Sequence, residues 1–144
     1  MSKGRGEQEQ LIDAMYTHLS NKLVRKETAE IARLSNKKLT LTEVHTLSAI
    51  SAEDVCPMRR VAEQLGVTLS TLTVSINRLV VKGYVSRIRS ENDQRVVFLN
   101  LTQKGQDIVS AHEAYHNELI KCALSRLDDE EVDVFMRLFK KIDT

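Results

Sequence analysis

One proline and five glycines are all that the 144 residues contain of the two residue types that most often interrupt regular backbone. So few breaks point to long uninterrupted helices and a mostly helical fold. Cysteine is nearly as scarce: Cys56 and Cys122 are too few and too scattered for a disulfide framework or a C-x-x-C site, so both are expected as buried, reduced thiols. No apolar run approaches the roughly 18 residues needed to span a bilayer. The polar opening MSKGRGEQEQ lacks the apolar segment of a secretory signal. A cytoplasmic protein with no membrane partner is the expectation. An excess of one charge is also missing, since the formal net charge is only +1.

That near-neutrality conceals a division. Residues 57–101 hold seven Lys/Arg against three acids, whereas residues 102–144 hold six against nine. A basic middle beside an acidic tail suits a polyanion-binding surface on a neutral scaffold, because local field attracts phosphate and total charge does not. The length is that of one ordinary domain, and 42% hydrophobic with 28% charged residues is a globular balance.

From Gln8 to Leu34, apolar residues recur at Leu11, Met15, Leu19, Leu23, Ile31 and Leu34, the spacing of a long one-sided helix. Thr40-Leu41-Thr42-Glu43 reads as a capping box that starts a second helix running to about Ile50. EDVC is expected as a connector, followed by a short helix over 57–64 with Pro57 at its first position and a tight corner at Gly66. A further helix is expected from Thr68, its N-cap, to Gly83, its closing residue. At 100° per residue, Leu69, Leu72, Ile76, Leu79 and Val80 share the packing face, and Ser70, Thr71, Val74 and Arg78 lie opposite.

Two helices joined by a glycine-bearing turn, the second offering short polar side chains near its N-terminus, make a helix-turn-helix. Small residues let such a helix enter a major groove while its hydroxyls reach base edges. YVSRIRS and RVVFLNL are β-rich and separated by ENDQ, so residues 84–101 read as a hairpin wing on which Arg87, Arg89 and Arg95 gather. A thin arginine-bearing loop suits the minor groove. Asp93 is expected to hold a wing arginine. The DNA-contacting set is therefore Thr68, Ser70, Thr71, Val74, Asn77, Arg78, Arg89, Asn92, Gln94 and Arg95.

The helix-turn-helix followed by KGYVSRIRSENDQRVVFLNLTQKG, with Asp93 and Arg95 in a D-x-R wing and Leu101-Thr102-x-x-Gly105 closing it, resembles the MarR family of winged-helix transcription regulators. Residues 40–105 carry the likeness. Within the family, VTLSTLTVSINRLVVKGYVSRIRS and EVHTL look most like the fatty-acid-synthesis repressors of Gram-positive bacteria. The resemblance implies a mainly α fold with a small β-hairpin wing, in an intertwined homodimer that binds a near-palindromic double-stranded DNA. Residues 1–38 and 102–144 would be dimerisation helices and 39–101 the winged helix-turn-helix of one 1–144 domain. It also implies a long acyl chain as effector. A dimer is reasonable on separate grounds, since one reader contacts too little DNA for useful specificity. Leu124, Leu127, Phe135, Leu138, Phe139 and Ile142 supply apolar faces, and Asp128 reads as the N-cap of the last helix.

His112-Glu113-Ala114-Tyr115-His116 matches the H-E-x-x-H pattern of zinc proteases. It sits on a helix whose Ile108, Tyr115, Leu119 and Ala123 share one side, with His112 on that side and His116 at its edge. Residues four apart on a helix can ligate one ion. A protease also needs a third ligand, a cleft and a glutamate aimed at metal-bound water, and Glu113 projects about 100° from His112. An HExxH metallohydrolase is therefore the weakest alternative. Another is a helical zinc-binding or protein-interaction module that never touches DNA. Read against the zinc-dependent repressors of the MarR family, the resemblance implies Glu27, His45, His112 and His116 as ligands, with Glu30 the substitute for Glu27. Three imidazoles and a carboxylate suit zinc or another late first-row divalent ion. The residues alone also allow His45 and His112 to be partly buried histidines satisfied by hydrogen bonds.

Overall fold

The computed structural model describes residues 4–51, 56–90, 93 and 96–142, and the chain divides into two compact units, 1–109 and 110–144. In the first unit, helix α1 spans Arg5–Leu34. It ends where the Ser35 hydroxyl donates to the Ile31 carbonyl (2.7 Å) and accepts the Leu39 N–H (3.1 Å). Asn36 and Lys37, at φ 51° and 59°, then turn the chain through left-handed conformations. Asparagine tolerates that region; lysine does so at a cost.

Helix α2 (Leu41–Ser51) begins at the expected capping box. The Glu43 carboxylate accepts the Thr40 N–H at 2.9 Å, and the Thr40 hydroxyl accepts the Glu43 N–H at 3.2 Å. Strand β1 (Cys56–Pro57) and helix α3 (Met58–Leu65) follow. Pro57 is thus the N-cap of α3 and the second residue of a strand, not the first helical residue, and Cys56 is no connector residue. Two residues show no alternation that a sequence pattern could register; β1 exists because β3 offers it a ladder.

Gly66 (φ 64°) closes α3, with its N–H donating to Glu63 and that of Val67 to Ala62. Helix α4 (Leu69–Val81) opens at Thr68, whose side chain accepts the Thr71 N–H. It closes the same way at Gly83 (φ 80°), where Gly83 donates to Val80 and Tyr84 to Leu79. Strands β2 (Val85–Arg89) and β3 (Val97–Leu101) form the wing. The sheet is antiparallel in the order β1-β3-β2, with Val85 opposite Leu101, Arg87 opposite Leu99 and Arg89 opposite Val97. Helix α5 spans Gln103–Leu124, and its residues beyond 109 belong to the second unit with α6 (Asp129–Ile142).

The core of the first unit joins Ile31 to Val44, Leu47 and Ile50 of α2, Val61 of α3, Leu72, Ile76 and Leu79 of α4, and Tyr84, Val85 and Leu99 around the sheet. Each such aliphatic side chain contributes about 1.5–3 kcal/mol on burial. α4 is thereby held by one face. Leu69 departs from that face: it is 52% exposed, because the helix begins there and its first turn overhangs the core. Cys56 is buried as expected, but Cys122 is exposed on α5.

In the second unit, Asp128 and Glu131 form a reciprocal cap at 2.8 and 3.0 Å. Acids fill the first turn of α6 and Lys140 and Lys141 its last, the arrangement the helix dipole favours. No residue of α6 is buried, and Phe135 and Phe139 stack in the open at 5.8 Å.

Candidate nucleic-acid interface and metal-ligand pairs

α4 and the wing define one candidate surface. Leu72, Ile76 and Leu79 anchor the helix, so the 100° step per residue turns Ser70, Thr71, Val74, Asn77 and Arg78 outward, and all five are exposed. Thr68 is exposed as well, and its hydroxyl lies 2.9 Å from that of Thr71. Both hydroxyls sit at the N-terminal end of α4, where backbone N–H groups carry partial positive charge.

Along β2, Val85, Arg87 and Arg89 share one face, since strand side chains alternate. Val85 is buried, and Arg87 and Arg89 continue its row into the open. Arg87 Nη2 donates to Asn77 Oδ1 at 2.5 Å, tying wing to helix. Neither helical periodicity nor strand alternation signalled this pairing, because it joins residues of two different elements. At the root of the tip, Ser90 donates its N–H to Val96, Val96 donates to the Asp93 carbonyl, and the Asp93 N–H donates to the Ser90 hydroxyl. Asp93 therefore shapes the turn through its backbone. Asn92, Gln94 and Arg95, and with them the expected hold of Asp93 on a wing arginine, lie outside the described residues.

The far end of α4 is held from two sides. Lys82 Nζ donates to both oxygens of Glu43, at 2.7 and 2.9 Å. Burial alone would raise the Glu43 carboxyl's pKa; hydrogen bonds from Lys82 and Thr40 outweigh it and leave the pKa below the usual range. Lys104 donates to the Lys82 carbonyl and lies over the Tyr84 ring, and Thr102 donates to the Gly83 carbonyl at 2.7 Å. This double hold on α4 was invisible in the sequence, where Lys82 reads as one more basic residue.

Among the described residues, each unit also brings together two of the side chains expected as metal ligands. In the first, His45 Nε2 lies 3.3 Å from Glu27 Oε1. Glu30 is instead bound to Arg33, at 2.6 and 3.0 Å, and that hydrogen bond holds its carboxyl below the usual pKa. In the second, the Nε2 atoms of His112 and His116 are 3.2 Å apart, with His112 buried and His116 half-buried. Two ligands about 2.0–2.1 Å from a tetrahedral zinc ion stand about 3.3 Å apart. Both pairs have that edge length. Glu113 is exposed, and Tyr115 and Leu119 are half-buried on the side expected of them, while Ala123 is exposed.

The family described as transcriptional regulator SarA/Rot matches residues 31–112. FabT of Streptococcus pneumoniae, solved in complex with DNA, superposes with a TM-score of 0.88 at 31% identity, covering 93% of this chain and 94% of that one. A mutant MarR of E. coli, complexed with operator DNA, superposes with a TM-score of 0.66 at 27% identity, covering 93% and 95%. The transcriptional regulator ZitR of Lactococcus lactis is 35% identical over 86 residues, 60% of this chain, which spans 59% of that relative's length. No described helix is long and apolar enough to cross a membrane. With its helix-turn-helix, its hairpin wing in a three-stranded sheet and these likenesses, the chain belongs to the SarA/Rot family of transcriptional regulators and carries the winged-helix fold of MarR.

Proposed function

We propose that this protein is a transcriptional regulator that binds double-stranded DNA as a homodimer, with α4 in the major groove and the wing in the adjacent minor groove. One observation carries the reading: α4 grips the core with Leu72, Ile76 and Leu79 and exposes Ser70, Thr71, Val74 and Arg78 beside an arginine-bearing strand. Thr68, Ser70 and Thr71 are the proposed contacts at the helix start, Val74 the apolar contact in the groove, and Arg78 the phosphate or guanine partner. Arg89, with Asn92, Gln94 and Arg95 at the tip, is proposed for the minor groove. Asn77 is left out of this set because Arg87 occupies its amide oxygen.

A gel shift on genomic fragments across a salt series tests the reading. Neutralised phosphates release counterions, so log affinity falls linearly with log salt, by about 0.9 per phosphate contact. A flat response, or no shift, would reduce the chain to a helical interaction protein. Arg95→Ala should weaken binding through loss of the wing contact; an unchanged footprint would remove the wing from the interface.

The effector is proposed to be a divalent ion of the zinc type, held by Glu27, His45, His112 and His116. The 3.2 and 3.3 Å donor spacings within the two pairs support that choice, as does the donor set of three imidazoles and one carboxylate. When bound, such an ion supplies a charge-dense cross-link between its ligands. An effector acts only through unequal affinity for two shapes of the dimer. Metal analysis should give one ion per chain, lost in both His45→Ala and His112→Ala. The wild type should melt several degrees lower after chelation. Equal melting temperatures with and without chelator would remove the metal and leave the acyl chain as the effector to test. No peptide hydrolysis is proposed for the HEAYH segment.

A further inference from the structure

We infer that Arg87 and Asn77 form a strut that sets the pitch of the wing against α4, making Arg87 a positioning residue for DNA reading rather than a DNA contact. The role in reading rests on the DNA-binding function proposed above; the strut itself does not. A guanidinium has only donors, so the amide atom facing Arg87 is the oxygen whatever the rotamer convention. The contact is a charge-assisted hydrogen bond.

Its placement gives it leverage. β2 is an edge strand, and after buried Val85 every one of its residues is exposed. β1 backs β3 only at Leu99 and Phe98, opposite Arg87 and Ile88, so past Ile88 the wing continues as a two-stranded ribbon, which is marginally stable by itself. Arg87 is the first residue past Val85 on the inner face, opposite buried Leu99. Asn77 follows Ile76 and precedes Leu79 by two positions, so it stands on the turn of α4 that grips the core most tightly. The bond joins the most firmly held part of the reading helix to the root of the least supported part of the sheet. Any tilt there grows toward the tip, and Arg89 lies about 6–7 Å further along the strand.

The test uses the full chain and a duplex selected by the wild type from a random pool, with R87A, N77A, the double variant and N77D compared. An aspartate at position 77 keeps an acceptor for Arg87 but would repel phosphate, so it separates a strut from a direct contact. R87A, N77A and the double variant should each lose affinity on the order of tenfold without adding. N77D should stay within about twofold of the wild type. In the free protein, hydrogen exchange of the β2 and β3 amides should quicken in R87A and N77A while α4 amides hold their rates. N77D losing as much affinity as N77A would mean that Asn77 touches DNA itself and would overturn the strut, as would unaltered wing exchange in R87A. A wild type that selects no duplex would end the DNA-binding reading, and exchange in the free protein would still decide the strut.

Discussion

Glu43 caps its own helix and holds a second one. Its carboxylate takes the Thr40 N–H at the start of α2 and the Lys82 ammonium just past the end of α4. The capping half was legible as T-x-x-E; the Lys82 half was not, because the partners are 39 residues apart. Since the folded carboxyl titrates below its unfolded value, the unfolded chain binds more protons in that interval. The contribution is whole above the unfolded glutamate pKa of about 4.3 and is lost as pH falls through the folded value. In Glu43→Gln, denaturation midpoints measured between neutral pH and pH 3 should show a shallower acid limb than in the wild type. Lys82→Met at pH 7 should cost about 1–3 kcal/mol in urea unfolding, because it strands a mostly buried carboxylate while a third of the lysine was solvated.

At the scale of the element, glycines separate two kinds of constraint. Gly66 closes α3 at φ 64° with open space where a Cβ would stand, so Gly66→Ala meets only the left-handed penalty of about 1–2 kcal/mol. Gly105 lies on α5 with no unusual φ, yet a Cβ there would collide with the Tyr84 carbonyl oxygen. That oxygen accepts the Thr102 N–H at 3.1 Å and cannot move cheaply. Gly105→Ala should therefore cost more than Gly66→Ala, about 2–4 kcal/mol, and lower the melting temperature further. If the two variants melt alike, the packing of α5 on the Tyr84 backbone is looser than described. The corner at Gly66 could be expected from periodicity stopping at a glycine, whereas the close approach at Gly105 could not, because two backbones 21 residues apart create it.

For the whole molecule, the exposed apolar faces are the unfinished business of the single chain. Leu11, Met15 and Leu19 on α1 and Phe135, Leu138 and Phe139 on α6 are each about half exposed, so each of the two helices leaves an apolar row open. Under the proposed homodimer these faces are covered, so Phe135→Glu with Phe139→Glu should shift sedimentation toward the monomer. DNA affinity should fall by orders of magnitude through loss of the second half-site. A dimer unaffected by both changes would place its interface elsewhere.

The features readable from residue order are local ones. Helix boundaries follow from caps and glycines, the buried and exposed faces of α4 from its 3.6-residue period, and the wing from two β-rich runs around a polar turn, because each depends on residues within a few positions of one another. Tertiary structure alone decided β1, the exposure of Leu69 and Cys122, the hold of Glu43 on Lys82 and the Arg87–Asn77 strut. Those depend on which surfaces and side chains meet after the chain has folded back on itself, and no spacing along the sequence encodes that distance.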